Sequence, residues 1–163
     1  MTTAVRLVRA ATPLEWAQAR RLIEAYAESL GVDLCFQNFD QEIEHLPGHY
    51  GPPRGAMLLA VEGEEVLGCV GLRPHDESTG EVKRLYVTPG ARGRDIGRTL
   101  ALGVVQAARE HGYRRLVLDT LPSMHAAQAL YGSLGFRPID AYRHNPVPGA
   151  AFMELTLNAP NAV

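Results

Sequence analysis

Glu81-Val-Lys-Arg-Leu-Tyr-Val-Thr88 runs into Pro89-Gly-Ala-Arg-Gly-Arg-Asp-Ile-Gly-Arg98 and then into Thr99-Leu-Ala-Leu-Gly-Val104. The first segment is β-rich, the second is a Gly/Arg-rich turn, and the third starts a helix. A strand that feeds a helix N-terminus presents unpaired backbone N–H groups and the positive end of the helix dipole. Such a terminus is an anion site, and phosphate is its usual anion. Arg92, Arg94 and Arg98 add guanidinium groups that suit phosphate oxygens. The stretch points to a phosphate-bearing cofactor. The alternative is a solvated basic face.

Toward the N-terminus, Val5-Arg-Leu-Val8 reads as a first strand. Thr12-Pro13 then starts a helix, with Thr at the N-cap, Pro in the first turn and Glu15 at capping-box spacing. Trp16, Ala19, Leu22, Ile23, Tyr26, Ala27 and Leu30 recur at helical steps, and Gly31 stops the run. Residues 32 to 55 are less regular. Asp40 to His45 is expected as a short helix, and Leu46 to Gly55 as a Pro/Gly loop. Ala56–Val61 and Val66–Leu72 read as strands joined by a hairpin at Glu62–Glu65, with a polar connector from Arg73 to Gly80.

Beyond the opening stretch, Asp95 to Gly112 reads as a helix and Arg115–Asp119 as a short buried strand. Ser123 opens a further helix, Met124 to Leu134, that Gly135 stops. Phe136–Ile139 and Ala151–Leu157 are the last strands, with a loop at 143–149. Strands in series followed by strand–helix–strand–helix imply an α/β (α+β mixed) domain spanning residues 1–163. The expected architecture is a central mixed, mostly antiparallel sheet of about seven strands flanked by about four helices.

The composition narrows the function classes. A chain of 163 residues, 46% hydrophobic and 21% charged, is an ordinary globular domain. A net charge of −2 argues against nucleic-acid binding. No apolar run approaches the ~18–20 residues of a membrane span, and no secretion signal is evident, so a cytoplasmic location is expected. Cys35 and Cys69 lie far apart, without metal-ligand spacing, and read as reduced structural thiols. No metal site is expected.

The element order, Arg92-Gly-Arg-Asp-Ile-Gly97 after a strand, and Ala129-Leu-Tyr-Gly-Ser-Leu-Gly-Phe136 together resemble the GNAT superfamily of N-acetyltransferases, over roughly residues 4 to 157. The resemblance implies the GNAT acyl-CoA N-acyltransferase fold and acetyl-CoA as co-substrate, with no metal. The family's turn is Arg/Gln-x-x-Gly-x-Gly/Ala; here Arg92, Ile96 and Gly97 are in register, and Asp95 stands where the family has its first Gly. Backbone N–H groups of Arg92, Gly93, Arg94, Asp95, Ile96, Gly97 and Arg98 are implied to hold the pyrophosphate. Asp95 is expected to turn its side chain to solvent or to an arginine. The arm of the coenzyme is implied to lie between two splayed parallel strands, Glu81–Thr88 and Arg115–Asp119. Leu85, Tyr86 and Val87 would be its backbone partners, and the Val87 N–H a candidate oxyanion donor.

The resemblance also assigns catalytic roles. Glu81, at the start of the central strand, is placed as general base, acting directly or through water. Tyr131 is placed as the acid that protonates the departing sulfur. Their structural alternatives are an ordinary strand glutamate and a packing aromatic. The family often has Asn seven residues before that tyrosine; this chain has Met124, with Ser123 or Thr120 as substitutes. The acceptor site is expected from segments 32–55 and 140–149, with Phe36, Tyr50, Tyr142, His144 and Asn145 as candidates.

The expected reaction is acetyl transfer to a primary amine of a small molecule or peptide, by direct attack in a ternary complex. A homodimer is the family-level expectation. The rival readings are a non-catalytic acyl-CoA-binding or sensing module, against which Glu81 and Tyr131 both count, and a protein whose surface only mediates assembly.

Overall fold

The computed structural model describes residues 4–30, 38–143, 145 and 147–157. The chain opens with strand β1, Val5–Arg9, and helix α1, Pro13–Leu30. Two reciprocal bonds set the start of α1. The Thr12 hydroxyl accepts the Glu15 N–H at 3.2 Å, and Glu15 Oε1 accepts the Thr12 N–H at 3.0 Å. The Ala11 N–H adds a third bond to the same carboxylate, at 2.9 Å. Amides that a helix start leaves open are thereby satisfied.

Helices α2, Phe39–Glu44, and α3, Leu46–Tyr50, follow. The second corrects the sequence reading, which placed a loop there. Pro47 lies in the first turn, where its missing N–H costs no helical bond, and buried Leu46 and Tyr50 anchor the turn to the core. It brings the α-helices among the described residues to five. Strands β2, Ala56–Glu62, and β3, Glu65–Pro74, form a hairpin about Gly63, whose φ of 61° suits the tight turn. Strand β4, Thr79–Val87, starts earlier than its sequence reading. Asp76 Oδ1 accepts the N–H groups of Ser78 (2.9 Å) and Thr79 (2.8 Å), and this Asx turn shortens the connector.

After a 3₁₀ turn at Pro89–Ala91 come helix α4, Ile96–Glu110, strand β5, Arg115–Thr120, helix α5, His125–Ser133, and strands β6, Arg137–Ile139, and β7, Ala151–Thr156. The seven strands lie in the order β1-β2-β3-β4-β5-β7-β6, and β4–β5 is the one parallel pair among the described residues.

Alternation along the strands makes two cores. On one face Leu58, Val70, Leu72, Leu116 and Leu118 meet Leu100, Val104 and Ala107 of α4. On the other, Met57, Leu59, Val61 and Cys69 meet Leu22 and Ile23 of α1 and Tyr50 of α3. Tyr50 packs against β3: a Cβ at Gly71 would come within 2.6 Å of its ring, so only glycine leaves room. Among the described residues no helix is long and apolar enough to cross a membrane.

Candidate active site

The parallel pairing of β4 and β5 is short, from Thr79↔Arg115 to Glu81↔Val117. Beyond Glu81 the strands separate. The cause lies on the other side of β4, where its register with β3 shifts between Cys69 and Gly71 and Arg84 takes φ 63°. A bulge of this kind inserts one extra residue and bends its strand. The separation opens a cleft lined by Lys83, Leu85, Asp119, Met124 and Tyr131 among others. Beyond Glu81 the β5-facing edge of β4 has no ladder partner among the described residues, so it is available to an extended amide-bearing ligand.

The cleft leads along β4 to the turn before α4. Gly93 has φ 83° and Asp95 φ 59°. These left-handed residues turn the chain so that the first amides of α4 face a depression lined by Val87, Arg92, Gly93, Asp95, Ile96 and Gly97. The three arginines are differently employed. Arg92 Nε donates to the Val87 carbonyl at 3.2 Å, with its guanidinium over the Tyr86 ring. Arg94 pairs with Glu62 at the β2–β3 hairpin, and Arg98 Nη1 donates to Ser133 Oγ at 3.1 Å. Asp95 is exposed and its side chain makes no capping bond. Tyr86 faces the α1 core, edge-on to Tyr26, so only its backbone is offered to the cleft side.

Tyr131 of α5 lines the cleft and is 4% exposed, against Phe136 at 5.2 Å between ring centroids. Burial pushes its phenol well above the ordinary tyrosine range, with a smaller push from Tyr26. Met124 also lines the cleft. Thr120 is engaged by Gln128, whose Nε2 donates to Thr120 Oγ1 and to the Leu121 carbonyl, both at 3.0 Å.

Glu81 is fully buried and lines a neighbouring pocket rather than the cleft that holds Tyr131. Arg73 Nε (2.9 Å) and Arg143 Nη2 (2.8 Å) both donate to its Oε1, and the Tyr142 hydroxyl donates to Oε2 at 2.6 Å. Burial pushes this carboxyl upward, but the charges of Lys83, Arg73 and Arg143 and the Tyr142 bond outweigh it. The group is held below the usual carboxylate range. Tyr142 in turn packs edge-on against His75 and Phe152.

Of the acceptor candidates, Tyr142 reaches Glu81 directly. Asn145 lines the cleft, its Nδ2 donating to Asp119 Oδ2 at 3.2 Å. Tyr50 is fully buried and packs against Gly71 of β3 rather than lining the pocket. Phe36 and His144 lie outside the described residues.

The sequence reading missed a network of buried charge. Lys83, 5% exposed, lies 3.5 Å from Asp119, and Arg84 makes a two-pronged bond to Glu42 at 2.8 and 3.0 Å. Burial lowers the Lys83 ammonium to about 8, against the opposing pull of Glu81 and Asp119. A signal was available: Lys83-Arg84 interrupts a strand of Val, Leu and Tyr, and a charge on a buried strand needs a partner. Among the described residues no group of three or more His, Cys, Asp or Glu could hold a metal ion.

Comparison with known proteins gives one consistent result. The model of the Acetyltransferase (GNAT) family matches residues 15–136. An uncharacterized N-acetyltransferase of Schizosaccharomyces pombe is 38% identical over 148 residues, which cover 90% of this chain and 91% of that protein. The human N-acetylaspartate synthetase is 35% identical over 138 residues, 83% of this chain but 43% of that protein. Among solved structures, a GNAT-family acetyltransferase of Staphylococcus aureus superposes with a TM-score of 0.79 at 21% identity, covering 95% of this chain and all of that one. The yncA protein of Salmonella typhimurium, solved with its cofactor acetyl-CoA, superposes with a TM-score of 0.66 at 23% identity, covering 98% and 99% of the two chains.

Proposed function

The chain belongs to the GNAT acetyltransferase family and is an acyltransferase, and from that premise we propose that it moves an acetyl group from acetyl-CoA to a primary amine by direct attack in a ternary complex. The observation that carries the reading is the splay of β4 from β5, continuous with the turn before α4. Acetyl-CoA, when bound, supplies an activated thioester. In the net reaction a nitrogen–carbon bond forms, the carbon–sulfur bond breaks, and the amine proton is lost as free thiol forms. The solved neighbour that holds acetyl-CoA supports the co-substrate, and the human relative named for N-acetylaspartate supports an amine acceptor.

The residues fit these tasks. Amides from Arg92 to Arg98 hold the pyrophosphate, with Arg92 and Arg98 nearby as charge. The backbone of Leu85, Tyr86 and Val87 holds the arm, and the Val87 N–H supports charge that develops on the carbonyl oxygen. Tyr131 donates a proton toward the sulfur, and the Lys83 ammonium in the same cleft favours thiolate character there. Glu81, held ionised by its two arginines, attracts the incoming ammonium and passes its proton on through water.

Calorimetric titration with acetyl-CoA, followed by thiol release across an amine panel, tests this reading. Binding together with amine-dependent thiol release is the expected result. Binding without release would favour the sensing module instead. Tyr131→Phe is expected to lower kcat about 10²-fold with little change in acetyl-CoA affinity; wild-type kcat in that variant would remove Tyr131 from the mechanism.

A further inference from the structure

The pocket around Glu81 lies between α3, the end of β3 and Arg143, and is lined by His49, Arg73, His75, Glu81 and Arg143. Two guanidiniums, Arg73 and Arg143, line it beside one carboxylate, Glu81, and Arg73 also lies 3.6 Å from Glu42. Both guanidiniums of the pocket spend their Glu81 bonds on the same oxygen, Oε1. Each guanidinium has five N–H donors. Among the described residues the buried Arg143 Nε has no hydrogen-bond partner, and Glu81 is the one carboxylate in the pocket lining.

A buried N–H without an acceptor is costly, and a guanidinium edge is matched best by a two-pronged carboxylate. Glu81 offers the complementary pole, because a carboxylate has about four lone-pair sites and three are used here. We propose that the acceptor is a primary amine that itself carries a carboxylate, a molecule of the amino-acid class. Its carboxylate binds between Arg143 and Arg73, and its amine lies beside Glu81. The inference rests on the acetyl-transfer reading of the adjoining cleft. A polyamine or a basic peptide would bring further positive charge against the two guanidiniums of the lining.

The test is thiol release from acetyl-CoA by the full chain, with matched amines. Aspartate, glutamate, tyrosine and histidine are compared with tyramine, histamine and putrescine. Hydrogen bonds to a charged group are worth roughly 10- to 100-fold in affinity. At least one carboxylate-bearing amine is therefore expected to exceed every carboxylate-free one by about tenfold or more in kcat/KM. Arg143→Gln is expected to raise KM for that amine by a factor in the same range. Its kcat should fall less than KM rises, its acetyl-CoA affinity should be unchanged, and Arg143→Lys should recover part of the loss. Turnover of carboxylate-free amines equally well or better, turnover of no amine at all, or an unchanged KM in Arg143→Gln overturns the inference. If wild-type protein binds acetyl-CoA in any of those cases, the cofactor reading survives; failure to bind it removes both.

Discussion

Asp95 sits at the anion-binding turn in a left-handed conformation, φ 59° and ψ 19°. That geometry is why the family resemblance places glycine there: most L-residues lose about 1–2 kcal/mol in it. Asp is one of the few side chains that tolerate it, which explains how the departure survives. Its carboxylate nonetheless stands near the place proposed for a pyrophosphate. Two such charges in largely aqueous surroundings repel by on the order of 1 kcal/mol. Asp95→Gly is therefore expected to tighten acetyl-CoA binding a few-fold, measured by calorimetry, and more at low salt than at high salt. Its melting temperature should move little, because relief of backbone strain and the added freedom of glycine in the unfolded chain offset one another. Weaker binding by the glycine variant would mean that the carboxylate helps the turn.

At the scale of elements, the decisive one is β4. Its bulge at Arg84 sends the strand away from β5, and the same residue reaches across to Glu42 of α2. One irregularity therefore opens the cleft and ties down the helix beside it. Removing one partner of a buried ion pair typically costs about 3–5 kcal/mol. Glu42→Gln should lose stability of that order in urea unfolding, whereas exposed Glu44→Gln should stay within about 0.5 kcal/mol of wild type. A small effect in Glu42→Gln would show that Arg84 finds another acceptor. This tie was not legible in the sequence, because its partners are 42 residues apart and nothing local marks Glu42 among its acidic neighbours. Helix α1 was legible, because its cap and its period are both local. Helix α3 was not, because proline and glycine look the same in a first turn as in a loop. Among the acceptor candidates, Tyr50 and Tyr142 are equivalent as letters. Tertiary packing puts one under β3's Gly71 and the other on Glu81.

For the whole molecule, buried charge sets how the fold responds to acid. Glu42 and Glu81 are both driven upward by burial, and both end below the ordinary range because cations surround them, Arg84 and Arg73 about Glu42 and Lys83, Arg73 and Arg143 about Glu81. A carboxyl with a lower pKa folded than unfolded stabilises the fold fully above its unfolded value, about 4.3, and loses that contribution as pH falls through the folded value. The urea midpoint should hold from pH 7 to about 5 and fall steeply below about 4. In Glu42→Gln the fall should be shallower, since one of the titrating groups is gone. An equally steep fall in the variant would assign the acid transition to other groups.

The same burial gives the sheet an internal reporter. Cys69 is fully enclosed, its thiol is pushed up to about 12 by burial, and its Sγ donates to the Arg84 carbonyl at the bulge. A thiol reagent can reach it only after β3 and β4 have come apart there. In a Cys35→Ser background the labelling rate at Cys69, divided by the rate for an unfolded peptide, is thus the fraction of time the centre of the sheet stands open. A bound acyl donor that bridges the splay would slow that clock without touching the sulfur.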